Sequence, residues 1–123
     1  MGQFLSICFA SAIGGGLRHL LQISLNSFLA PGLAFYGVLL VNLIGSTLLG
    51  SITQLPTQTF PISPELKLIL SVGLLGGFTT YSGFNQQAID FIQHGESIKA
   101  ALYIAAMFSS CLVGGFIGTW IPK

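Results

Sequence analysis

Charge is what this chain most lacks. Its 123 residues include four Lys/Arg and three Asp/Glu, 6% charged, where an ordinary soluble domain carries about 25%. Apolar residues make up 52%, and the mean hydropathy is +0.83. A water-soluble domain needs a polar coat that these side chains cannot supply. That excludes a soluble enzyme, a nucleic-acid binder with a basic face and a disordered segment. A net charge of +1 gives no field to steer a polyanion. Cysteine is also scarce: Cys8 and Cys111 both fall in apolar stretches, where a thiol is a small packing residue and two make no metal site. No nucleophile–base pair, ligand cluster or phosphate loop is present, so the chain reads as a non-enzyme. What remains is an integral membrane protein whose first partner is the lipid bilayer.

The few charges divide the apolar sequence. Residues 1–17, 19–64, 68–89 and 100–122 carry none. A membrane helix needs about 20 predominantly apolar residues, so four spans are expected, at 3–23, 33–53, 68–91 and 100–121. The breaks hold turn residues: Asn26, Ser27, Pro31 and Gly32, then Pro56, Pro61 and Pro64, then Asp90, His94, Gly95 and Glu96. Such short connections predict a single four-span domain of antiparallel hairpins. Ala10-Ser11-Ala12 has the look of a signal cleavage site, but no Lys or Arg precedes the apolar run.

Orientation follows Lys/Arg asymmetry, and here there is none. Lys67 and Lys123 fall on one side; Lys99 falls on the other, with Arg18 expected near the outer end of the first helix. Two against two permits insertion either way round, which would make an antiparallel twofold dimer accessible. Small residues four apart (Ser46 and Gly50, Gly73 and Gly77, Gly114 and Gly118), with the run Gly14-Gly15-Gly16, cover more faces than one four-helix core requires and point the same way.

Polar groups at membrane depth are expensive and need a partner or a task. Asn42, in the second span, either donates its amide protons to a dehydrated anion or only bonds a neighbouring helix. In the third span, Gly76-Gly77-Phe78-Thr79-Thr80-Tyr81-Ser82-Gly83-Phe84 makes a poor helix centre. A break there would free carbonyls from the first half and N–H groups from the second. The alternative is a continuous helix with a tight glycine face. In the fourth span Tyr103 and Ser110 share a face and could extend a polar track, unless the serine bonds its own backbone. No Asp or Glu lies inside the first, second or fourth span, although a proton-coupled exporter needs a titratable group in its path. Arg18 either reaches toward headgroups or acts as a vestibule cation that attracts anions.

Taken in order, these motifs resemble the Fluc family of fluoride channels, also called CrcB proteins, over essentially the whole chain. The third-span stretch is similar to the family's Gly-Gly-x-Thr-Thr-Phe-Ser-Thr-Phe signature; Val41-Asn42-x-x-Gly45-Ser46 resembles its second-helix motif, and the glycine-rich run ending at Arg18 its first. The resemblance implies an all-α membrane protein of four transmembrane helices, the third broken mid-membrane, assembled as an antiparallel dual-topology homodimer with two fluoride pores. It implies that Asn42 donates to fluoride, that ring edges of Phe84 and Tyr81 lie on the ion path, that Thr80 and Ser82 line or support it, and that Tyr103 continues it, to which the shared helix face would add Ser110. It places Arg18 in the vestibule, and a structural Na+ at the dimer twofold on backbone carbonyls of Gly76 and Thr79. The sequence departs from the family pattern at Tyr81 for Phe, Gly83 for Thr, and Gln87 near a usual Glu; Ala10 and Ser11 stand where paired glycines are usual.

The expected function is passive fluoride export across the cell membrane. Uncharged donors and ring edges would replace the water shell of a small anion, and weak multi-site contacts would let it leave. Two other classes fit the length: a small four-helix multidrug/proton exporter, which needs a carboxylate in its first helix, and a structural membrane subunit, which would be inactive alone.

Overall fold

A computed structural model describes residues 1–30, 33–55 and 62–121. Pro31, Gly32, Pro56 and Pro61, expected in turns, and Lys123, counted in the charge balance, lie outside the described residues. The regular elements among the described residues are all helical: α1 (Gly2–Phe28), α2 (Phe35–Gln54), α3 (Pro64–Leu68), a wider π-helical stretch (Ile69–Leu75), α4 (Gly76–Phe78), α5 (Tyr81–Gln93) and α6 (Ser97–Trp120). Three of these, α1, α2 and α6, are each long and apolar enough to cross a membrane.

The third expected span is not one helix. Ser63 opens it, its hydroxyl accepting from Leu66 N–H at 3.1 Å, with Pro64 at the first helical position and Glu65 in the first turn. In the π stretch the ladder widens, so that Gly76 N–H reaches back to Ser71 O. At Thr79 and Thr80 the backbone is extended, with φ/ψ of −77/159° and −148/115°. Gly95, at φ +77°, closes the far turn. Its N–H bonds Ile92 O at 3.0 Å and Glu96 N–H bonds Phe91 O at 2.8 Å, which satisfies the last carbonyls of α5.

Two sequence expectations need correction. Asn26 and Ser27 do not break α1; Ser27 Oγ bonds Ser24 O at 2.6 Å, and the helix runs on to Phe28. Arg18 therefore sits well inside α1 rather than near its end. The most closely packed helix pairs are not neighbours in sequence. They are parallel: α2 with α6, and α1 with the broken third segment.

The glycines explain that pairing. A Cβ on Gly118 would collide with Thr47 O, and one on Gly50 with Gly115 O, so α2 and α6 approach backbone to backbone. On the other pair, a Cβ on Gly73 would lie 2.8 Å from Ala10 Cβ, and one on Gly77 would lie 2.9 Å from Ser11 Cα. Ala10 and Ser11 are tolerated because the facing helix supplies the glycines. Three of the small-residue pairs that suggested a partner are thus occupied within one chain, where close approach gives the packing that lipid cannot. The core between α2, α5 and α6 is Val38, Phe84, Ala88, Tyr103 and Met107. Large apolar side chains such as Phe4, Phe9, Leu112 and Phe116 point outward, which suits lipid rather than water.

Candidate functional site

The site forms where the third segment loses its helix. Thr79 N–H still bonds Leu75 O at 2.9 Å, but Thr80 N–H leaves the ladder and donates to Asn42 Oδ1 at 2.8 Å. Asn42 Nδ2 in turn donates to Thr80 O at 2.9 Å. One carboxamide from α2 thus pairs both backbone groups of Thr80, as a neighbouring strand would. Because Thr80 N–H is engaged there, the Gly76 carbonyl four residues back loses the donor that a continuous helix would give it. The Thr80 side chain then starts the next helix: its Oγ1 accepts from Gly83 N–H at 3.0 Å and lies 3.3 Å from Ser82 Oγ. Gly83, where the family pattern has a Thr, leaves room for this cap, since a Cβ there would lie 3.1 Å from Thr80 Cγ2.

Arg18 Nη1 donates to Thr79 O at 2.9 Å. The ion pair found among the described residues, Lys99 with Glu96, lies elsewhere. A half-buried guanidinium held on a carbonyl makes the break electropositive.

A cavity of about 320 Å³ opens beside the break. Asn42, Gly76, Thr79, Thr80, Tyr81 and Phe84 line it, with Ser46 and Met107 among its other walls. Six sequence-predicted residues therefore meet at one place. Of these Asn42 and Phe84 are buried, whereas Tyr81 is 72% exposed on the flank of the chain. Phe84 sits among rings: Tyr81 at 5.7 Å, Tyr103 at 5.4 Å and Phe108 at 6.2 Å between centroids, the last near perpendicular. Such geometry turns positive ring edges toward neighbouring groups.

The other predicted residues are not in the cavity wall. Ser82 is exposed beside Thr80. Ser110 Oγ bonds Met107 O at 3.1 Å, one turn back on its own helix. Tyr103 is buried behind Phe84, and its hydroxyl donates to Gln87 Oε1 at 2.6 Å. Arg18 reaches the break only through Thr79 O.

Two residues given no role from sequence belong here. Gln87 orients Tyr103; it lies three residues after Phe84 and so shares its face. Met107 lies one turn beyond Tyr103, and its sulfur takes a second Asn42 Nδ2 contact at 3.6 Å and one from Cys111 Sγ at 3.9 Å. A thioether is a weak acceptor, so the Asn42 donor that faces it is the one most easily given up to a stronger acceptor.

Comparison with known proteins gives a consistent result. Residues 5–119 match the family described as CrcB-like protein, Camphor Resistance (CrcB). A protein named fluoride-specific ion channel FluC from Anaeromyxobacter sp. (strain K) is 37% identical over 123 residues, spanning 100% of this chain and 97% of its own. Relatives of the same name from Shewanella sp. (strain ANA-3) and Chelativorans sp. (strain BNC1) are 38% identical over 118 residues and 33% identical over 124 residues, covering 96% and 100% of this chain and 94% and 98% of their own.

Proposed function

The chain belongs to the CrcB-like family, and from that premise we propose that it is a fluoride-selective channel that lets fluoride leave the cytoplasm passively. It is a multi-pass membrane protein of the channel class, not an enzyme. The observation that carries the reading is the Asn42–Thr80 pairing beside Phe84. It holds an unwound backbone, an amide donor and a ring cluster around one small cavity.

Fluoride is small and strongly hydrated, so a path must replace its water with donors. Asn42 Nδ2–H, now spent on a thioether, is a donor that such an anion can take over. The Thr80–Ser82 hydroxyls and the edges of Phe84 and Tyr81 provide the next contacts, and Tyr103, fixed by Gln87, continues them along α6. None of these groups carries a full charge, so the ion is held by weak contacts at several points and can move on. Selectivity against larger halides would come from a constriction too tight for them.

We further propose the assembly: a single four-span domain with its third helix broken mid-membrane, paired as an antiparallel dual-topology homodimer with two pores in the cell membrane. Tyr81 and Ser82 support it, since a polar, exposed flank beside an apolar surface calls for cover by protein rather than lipid. A structural Na+ at the twofold would be held by carbonyls of Gly76 and Thr79, hard oxygens of the kind that unwound helices offer to such ions. The donor set fits, and both residues line the cavity. Of the two, Gly76 is the freer, because Thr79 O already accepts from Arg18. Purified protein in liposomes tests the whole reading. Fluoride efflux should follow its own gradient without a proton gradient or ATP, and the absence of such efflux would remove the proposal in favour of a structural subunit.

A further inference from the structure

A second opening in the chain lies at the turn between α5 and α6, away from the break. It is a groove of about 920 Å³ whose walls include Phe35, Leu39, Glu96, Lys99, Leu102 and Tyr103. Tyr103 is shared between this groove and the ring cluster around Phe84. Along α6, Lys99, Tyr103 and Met107 follow one another at single-turn spacing, and Met107 lines the smaller cavity that holds Asn42. The groove and the cavity therefore stand on either side of the Phe84–Tyr103 pair, on one face of one helix.

Lys99 marks the wet end of that face. Its ammonium lies 4.4 Å from the Phe91 ring centroid and 5.6 Å from that of Phe35. Both rings are near perpendicular to Tyr103, at 88° and 79°. The cation thus sits over two rings that both pack edge-to-face with Tyr103. Lys99 also pairs with Glu96 at 2.8 Å, the two side chains being 44% and 46% exposed. Its position runs against helix stability: a cation in the first turn opposes the helix dipole, whereas Glu96 at the cap agrees with it. Glu96 and the two rings offset that cost, and they hold the ammonium at the groove.

We propose that Lys99 gathers small monovalent anions at this groove and delivers them to Tyr103, with Glu96 tempering its field. The inference rests on the fluoride-channel reading above. A positive charge in a groove with low-dielectric walls raises the local anion concentration, and a carboxylate beside it offsets part of that gain. The two residues therefore act in opposite directions on flux, which distinguishes this role from a structural ion pair.

The test is initial fluoride efflux from liposomes holding purified wild type, Lys99→Gln, Lys99→Arg or Glu96→Gln. It is run at about 0.01 M and about 1 M of an impermeant salt, where the Debye length is about 30 Å and about 3 Å. At low salt Lys99→Gln should lower efflux by about tenfold, Lys99→Arg should keep it and Glu96→Gln should raise it, with the differences collapsing at high salt. Equal losses in Lys99→Gln and Glu96→Gln at both salts would overturn the proposal in favour of a structural pair. Wild-type efflux that Lys99→Gln leaves unchanged would overturn it alone, whereas no efflux from wild type would overturn the channel reading beneath it.

Discussion

Replacing Asn42 by Ala removes the one side chain that satisfies both backbone groups of Thr80, at 2.8 and 2.9 Å. Nothing in the substituted chain is placed to take over, because Thr80 is extended and its neighbours belong to two different helices. An orphaned buried donor or acceptor costs about 1–3 kcal/mol, so the pair is worth about 2–6 kcal/mol. Asn42 borders a cavity that can admit water, which moves the expectation toward about 2–3 kcal/mol. The assay is equilibrium unfolding of purified protein in mixed micelles, followed by circular dichroism, with fluoride efflux measured on the same preparation. The substitution should lower stability by that amount and bring efflux close to background. Asn42→Asp keeps the acceptor for Thr80 N–H but sets a carboxylate oxygen against Thr80 O and a negative charge on the anion path, so it too should stop efflux. A stability change under about 0.5 kcal/mol, the range of a bland surface change, would refute the backbone pairing, even if efflux were lost.

Four further outcomes follow from the same geometry. Phe84→Ile should leave the protein folded in detergent but reduce fluoride efflux at least tenfold, because an aliphatic chain has no positive edge to offer; full retention would take Phe84 off the path. Gly118→Leu should separate α2 from α6, since even a Cβ there meets Thr47 O, and cost about 1–3 kcal/mol or more in the same unfolding assay. Tyr103→Phe removes the 2.6 Å bond to Gln87 and should cost about 0.5–1.5 kcal/mol. It should also slow efflux more than it destabilises the fold. Exchanging all sodium for a bulky organic cation should lower the thermal stability of the assembled protein; an unchanged transition would count against a cation on Gly76 and Thr79.

Much of this was legible in the sequence because lipid simplifies the problem. With four Lys/Arg and three Asp/Glu in the chain, the apolar stretches outlined the helices, and the threonines and glycines of the third stretch marked where a helix would fail. The place of the break was harder to read. It falls on Thr79–Thr80 rather than on a glycine, because Gly73 and Gly77 are used to bring the third segment against α1, and because Asn42 replaces the lost ladder bond only at Thr80. Pairwise contacts between distant helices leave no local trace. Arg18 on Thr79 O, Tyr103 on Gln87 and Asn42 on Met107 each join residues whose separation in sequence says nothing about their meeting. The same limit hid the parallel pairing of α2 with α6, since small-residue spacing shows that a helix will be approached closely, not by which neighbour.

The measurement that bears most directly on the account is paired fluoride and chloride efflux from liposomes containing the purified chain alone, with potassium carried by an ionophore as the counter-ion. Fluoride should be released rapidly with chloride retained, as expected of a path that offers a small anion uncharged donors and ring edges at a constriction too tight for larger halides. Chloride release at a rate comparable to fluoride would contradict it.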